Sequence, residues 1–411
     1  MRKSLSVLHF ADAHVDIINH GRHDPDSGLP VRVVDFLNSL DQIIDRAIDD
    51  QVDLVLFAGD AYKDRNPQPT FQREWGQRIM RLSQAGIPTV LLVGNHDVSP
   101  ASGRAHTLQE FQTLNVPHVH VADRITRLDP AQLGIPAQVI TIPWVSRHAL
   151  MTREEMAGRS QQEVFDAVED RVANSIDQLI AMADPDLPLI LTAHASVQGA
   201  VYGSERQVML GQEMILGGSI VADKRLDYVA LGHIHKHQDV SKGGQPPIVY
   251  PGSIERIDFG EVREKKGFVL AEIAKGNTQW RFEVLKTRRF VDLKIESDSA
   301  ETFMADILAQ LPDADRIQDA VCRLNLYYPR ELEPQLDEVA IARHIRDALS
   351  FHIAKHRSSE QRSRLGDTLA IETLSAEELL SLYWDGRGMD PEEVAALKTL
   401  AREIIGEQLT H

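Results

Sequence analysis

The sequence predicts a layered α/β fold, and three observations predict it. Short apolar runs alternate with stretches of helical periodicity over roughly the first two thirds of the 411 residues. Five of those runs lead straight into polar clusters: Asp12-Ala13-His14, Gly59-Asp60, Gly94-Asn95-His96-Asp97, His194 and Gly232-His233-Ile234-His235. The composition, 43% hydrophobic and 26% charged, is that of a globular chain and excludes a mostly disordered or collagen-like one.

Taken in order, Leu5–Phe10 reads as a strand, and Phe36, Leu40, Ile43, Ile44, Ala47 and Ile48 then fall on one helical face. Further strands are expected over residues 52–58, 89–93, 189–193 and 228–231. Ligands of open α/β sheets sit beyond the carboxyl ends of strands, so five polar clusters at five such ends point to one site. After Lys286-Thr287-Arg288-Arg289 the texture changes. A strand over 290–296, a helix over 300–311, a strand over 320–328 and a helix over 339–351 predict a small α+β domain. Cys322, Leu324 and Leu326 alternate with Arg323 and Asn325, which turns the cysteine to the buried face of its strand. Residues 355–364 are polar and basic and read as a linker. Ser375-Ala376-Glu377-Glu378 is a capping box, and Asp390-Pro391-Glu392-Glu393 opens a last helix. The expected organisation is a core over 1–287, a small domain over 288–354, a linker over 355–370 and C-terminal helices over 371–411.

The formal charge of −17 argues against holding a phosphate polymer by bulk charge, so such a role needs a local basic surface or bound cations. One cysteine excludes an internal disulfide and a multi-cysteine zinc site, and fits a reducing compartment. No apolar run approaches the roughly 20 residues that span a bilayer, and neither an h-region nor a cleavage site is read at the start. A cytoplasmic protein without a membrane partner is expected. No G-x-x-x-x-G-K-[ST] loop occurs, so any ATP dependence must come from a partner.

Asp12, His14, Asp60, Asn95, His96, Asp97, His194, His233 and His235 are the ordered set of candidate metal-binding and catalytic residues. Two cations a few ångströms apart need a bridging carboxylate together with carboxylate, amide and imidazole donors, which this set supplies. Oxygen and nitrogen donors without thiolate favour manganese over iron or magnesium.

The ordered motifs D-x-H, G-D, G-N-H-D, H and G-H-x-H resemble the calcineurin-like metallophosphoesterase superfamily. Within it the chain is similar to the SbcD-type nuclease subunits of double-strand-break repair complexes. That likeness rests also on the Asn66-Pro67-Gln68-Pro69 loop, on Tyr250-Pro251-Gly252-Ser253-Ile254-Glu255-Arg256 and on the small domain after the core. The resemblance implies a layered core of two sheets flanked by helices, with a capping domain that positions DNA. It implies that Asp12, His14, Asp60 and His235 hold one divalent ion and Asp60, Asn95, His194 and His233 the other, Asp60 bridging. His96 would contact the phosphate and help the leaving oxygen depart, with Asp97 orienting it. The implied activity is a metal-dependent exonuclease, with endonuclease action as well, on DNA ends. The implied partners are an SbcC-type coiled-coil ATPase, docked by residues 371–411, and a second copy in a homodimer. The alternative is a phosphatase or phosphodiesterase acting on a small substrate. Two positions depart from the family pattern: Asp16, where many relatives have glycine, and Lys63 followed by Asp64, where relatives often have His or Asp.

Overall fold

The computed structural model describes residues 4–99, 104–145, 151, 153–156, 158–203, 215–358, 380, 384 and 391–408. They divide into two compact units, one of Met1–Asp292 with Asp313–Arg323 and Asp347–Phe351, the other of Leu293–Pro312, Leu324–Arg346 and His352–His411.

The first unit is built on two six-stranded sheets. In one, β1 (Leu5–Phe10), β2 (Leu54–Phe57), β3 (Thr89–Leu92) and β4 (Val119–Ala122) run parallel. β13 (Gly267–Ala274) pairs antiparallel with β1, and β14 (Asn277–Val284) extends that edge. In the other, β6 (Gln138–Ile142), β7 (Leu189–His194), β10 (Tyr228–Gly232) and β12 (Ile248–Tyr250) run parallel, neighbouring one another in that order. β5 (Thr126–Leu128) and β11 (Gln238–Asp239) close its edges in antiparallel pairing. A minor pair is made by β8 (Ser196–Val197) and β9 (Ile215–Leu216).

Parallel strands covered on both faces read as continuous apolar runs, and Leu54, Val55, Leu56 and Phe57 are all fully buried. Their alternation sorts them into layers. Val7, Leu54, Leu56, Val90 and Leu92 pack inward against Val139, Ile190, Tyr228 and Ala230 of the facing sheet. On the outer face of the first sheet lie helices Val31–Asp49 and Pro69–Gln84, through Phe36, Leu40, Ile43, Trp75 and Ile79. The second sheet is covered by helix Gln161–Ala181, whose Val164, Val168, Val172, Ile176 and Ile180 recur every fourth residue. Its start is fixed by a Ser160–Glu163 capping box. His9 crosses the inner layer, Nδ1 accepting from the Tyr228 hydroxyl at 3.0 Å and Nε2 donating to the Leu231 carbonyl at 3.2 Å. Burial pushes this imidazole down to about 3, so it is neutral and serves as a pin between the sheets.

A three-stranded sheet follows, β15 (Phe290–Glu296), β16 (Val321–Pro329) and β17 (Ser350–Ser358) in that order, with helices Phe303–Gln310 and Glu338–His344. Cys322, Leu324 and Leu326 are buried, as the alternation predicts. The helix expected over 339–351 ends at His344, and Ser350–Ser358 is a strand, so the first four residues of the expected linker belong to β17. Their charges are engaged: Lys355 pairs with Glu338 at 2.5 Å, Arg357 with Glu333 at 2.5 Å, and His356 stacks on Tyr327 at 4.3 Å. Residues 359–370 and the capping box at 375–378 lie outside the described residues. The last predicted helix is Pro391–Gln408. Among the described residues, no helix is long and apolar enough to cross a membrane.

Candidate metal centre

The parallel strands of both sheets deliver their following loops to one place, and the backbone there is strained. Asp12, His14, Asp60 and His233 have φ of 51°, 40°, 65° and 95°, a region that L residues occupy at a cost of order 1 kcal/mol or more each. Cross-strand bonds hold them: Asp12 N–H donates to Gly59 O at 2.9 Å, Ala13 N–H to Asp60 O at 2.8 Å, and His233 N–H to the Asp12 carboxylate at 3.0 Å. Gly59 and Gly94 are required by close approach, since a Cβ would overlap His194 Nδ1 at the first and Asp60 Oδ1 at the second.

Two sets of donors result, Asp12 with His14 and His235, and Asp60 with His194 and His233, each within 4.8 Å among its members and buried. The far ring nitrogens fix the tautomers. His14 Nδ1 lies 3.2 Å from Tyr62 O and His194 Nδ1 lies 2.7 Å from Ala58 O. A carbonyl only accepts, so both Nδ1 atoms carry hydrogen and a neutral ring presents its Nε2 lone pair inward. His14 Nε2 then faces His235 Nε2 at 3.2 Å. His194 Nε2 faces Asn95 Oδ1 at 2.9 Å and Asp60 Oδ2 at 3.4 Å. Asn95 Oδ1 is also 3.0 Å from His233 Nδ1. Asp60 Oδ1 accepts from His96 N–H at 2.8 Å, while Oδ2 lies 3.9 Å from His14 Nε2, so one carboxylate reaches toward both sets. Acceptors converging on acceptors is an arrangement that calls for positive charge. Burial works against a charged His194, but Asp60 and Asp12 outweigh it and raise the imidazole to about 9.

His96 stands at the rim. Its Nδ1 donates to Lys63 O at 2.8 Å, and its Nε2 lies 3.4 Å from Lys63 Nζ. Asp16 holds this loop by accepting from Lys63 N–H at 2.5 Å and Asp64 N–H at 2.9 Å. Asp97 is buried beneath the Asp60 turn. Its carboxylate accepts from the N–H groups of Asp60, Gly94 and Ala61 and from the Thr107 hydroxyl, and so clamps the Asp60 turn, while the His96 ring is held by Lys63. A cleft of about 880 Å³ opens beside His96, lined among others by Ile18, Lys63, Arg65, Asn66 and Phe71.

The profile of the calcineurin-like phosphoesterase family matches residues 5–237, more than half of the chain. The chain belongs to that family. The calcineurin-like phosphoesterases are phosphoester hydrolases that use divalent metals, and the two donor sets fit such ions in number and chemistry. Among curated relatives, the SbcD component of the nuclease SbcCD from Escherichia coli K12 is 26% identical over 245 residues, 58% of this chain and 60% of that protein. The DNA double-strand break repair protein Mre11 of Archaeoglobus fulgidus is 24% identical over 341 residues, 78% of this chain and 68% of that protein. The uncharacterized metallophosphoesterase YhaO of Bacillus subtilis is 24% identical over 286 residues, 69% of this chain and 61% of that protein. The chain thus spans less than two thirds of the length of the Escherichia coli and Bacillus subtilis proteins.

Three residues of this phosphoesterase centre escaped the sequence reading. Trp144 lies against the His233 ring, centroids 5.2 Å apart. Glu261 and Lys266 are buried, Glu261 Oε1 meeting His235 Nδ1 at 3.1 Å and Lys266 Nζ meeting Glu261 Oε2 at 3.0 Å. Burial pushes the Glu261 carboxyl up, but Lys266 and His235 hold it down at about 2. In the sequence, Lys266 belongs to a basic turn that reads as solvated surface. The signal that could have found it is the apolar strand opening directly at Gly267.

Proposed function

We propose that the chain is a two-metal phosphodiesterase that cuts DNA at ends, as exonuclease and endonuclease, with a coiled-coil ATPase as partner. Asp12, His14 and His235 hold one ion, Asn95, His194 and His233 the other, and Asp60 serves both. The observation that carries the reading is the convergence of His194 Nε2, Asn95 Oδ1 and Asp60 Oδ2 on one buried spot beside a second set of the same kind. When bound, divalent ions lower the pKa of water and neutralise charge on phosphate oxygens, and manganese suits these donors. The protein's own part is positional. Asp97 and the two glycines set the Asp60 turn, and Lys63 O fixes the ring of His96, whose Nε2 lies 3.4 Å from Lys63 Nζ at the rim and would contact the phosphate. Lys63 and Arg65 line the adjoining cleft beside Asp16 and Asp64, so the excess positive charge that an acidic chain needs to hold a polynucleotide there would come from the bound cations. By resemblance, residues 288–354 position the DNA and residues 371–411 dock on the ATPase.

The test is manganese-dependent digestion of end-labelled linear duplex, with Asp60→Asn as the blank. The expected result is shortening by the wild type and a loss of more than about 10²-fold in the variant. Hydrolysis of a phosphomonoester with the duplex left intact would move the chain to the small-substrate phosphatases.

A further inference from the structure

Glu261 and Lys266 lie outside the donor sets yet end on one of their members. Lys266 is 1% exposed; its ammonium donates to Glu264 Oε2 at 2.8 Å and to the backbone carbonyl of His235 at 3.0 Å, and is ion-paired with Glu261 Oε2 at 3.0 Å. Glu261 is likewise buried, with Oε2 also accepting from Ile257 N–H at 2.8 Å and Oε1 facing His235 Nδ1 at 3.1 Å. The pair therefore grips His235 twice, through its ring and through its carbonyl. The far nitrogens of His14 and His194 meet backbone carbonyls, whereas that of His235 meets a carboxylate.

We infer that Glu261 and Lys266 are a positioning pair for His235, directing its Nε2 toward Asp12 and His14 and making that set the tighter of two metal sites. The inference rests on the reading that these residues hold a divalent ion. Stability alone is a poor reason for the pair. A buried ion pair has a large desolvation cost, and apolar residues of similar volume in its place are often neutral or stabilising. A carboxylate on the N–H of a ligating imidazole does what an apolar residue cannot: it fixes the tautomer and the ring's orientation, and strengthens the donor nitrogen. Lys266 keeps that carboxylate ionised in a buried place and ties it to the backbone of the residue it serves.

The experiment titrates Mn²⁺ into the full chain by calorimetry, for the wild type, Glu261→Gln and the double variant Glu261→Met/Lys266→Met, with the melting temperature of each metal-free protein as a second readout. The wild type should take two equivalents of unequal affinity. Glu261→Gln should weaken the tighter one by about 10- to 100-fold and leave the other unchanged. The double variant should melt at or above the wild-type temperature and still lack the tight equivalent, which a purely structural role would not produce. Two equivalents at wild-type affinity in Glu261→Gln, or affinity regained in the double variant together with its stability, would overturn the inference and leave the proposed function standing. A wild type that binds no Mn²⁺ would overturn both.

Discussion

His194 shows at the scale of one residue how the site prepares for a cation. Its Nε2 faces the oxygen acceptors of Asn95 and Asp60, and the neighbouring carboxylates raise its imidazole to about 9 against the opposing effect of burial. At neutral pH a proton therefore occupies the direction a metal would take, and binding must release it. Below about pH 9 the affinity of that set should rise about tenfold per pH unit and level off above it. Calorimetry at pH 7 in buffers of different ionisation enthalpy should find roughly one proton released per ion at this set; a pH-independent affinity would contradict the assignment. The sequence displays His194 and its fellow donors because the chemistry demands those residue types directly after apolar strands. It does not display their neighbours. That Asp97 clamps the Asp60 turn, that Lys63 faces His96 and that Glu261 ends on His235 are facts of closeness between segments far apart in the chain, and no local pattern encodes them.

At the scale of the element, loops after parallel strands are held by side chains from other loops. Asp16, a departure from the family pattern, stands under the loop after Asp60 and accepts two of its backbone N–H groups. Asp16→Ala should cost about 1–3 kcal/mol by leaving those donors poorly satisfied. It should keep both metal equivalents while lowering turnover, because the loop it frees carries Lys63 and its contacts to His96. Loss of a metal equivalent would show that Asp16 supports the ligands instead. Strand placement was legible where both faces are buried, as in β2 and β7, since an uninterrupted apolar run between polar clusters leaves few alternatives. It was not legible in β17, where Lys355, His356 and Arg357 find their partners on Glu338, Tyr327 and Glu333, and the sequence alone shows only a basic stretch.

At the scale of the whole molecule, neither sheet contains a complete donor set. Asp12, His14, Asp60 and Asn95 follow strands of the first sheet, while His194 ends β7 of the second and His233 and His235 follow its β10. A cation bound to either set therefore ties the two sheets together and favours the folded state. At 100-fold excess over the dissociation constant each ion contributes about 2.7 kcal/mol, and Mn²⁺ should raise the melting temperature by about 5 °C per site, reversed by chelator. An unchanged melting temperature would argue against donors drawn from both sheets. The same division sets a timetable for synthesis. Asn95 leaves the ribosome 99 residues before His194, and Asp12 leaves 221 residues before His233. A nascent chain that stops short of the second sheet thus carries two members of one set, Asp12 and His14, and one of the other, Asp60. Neither donor set is complete until the second sheet has been made and has closed on the first.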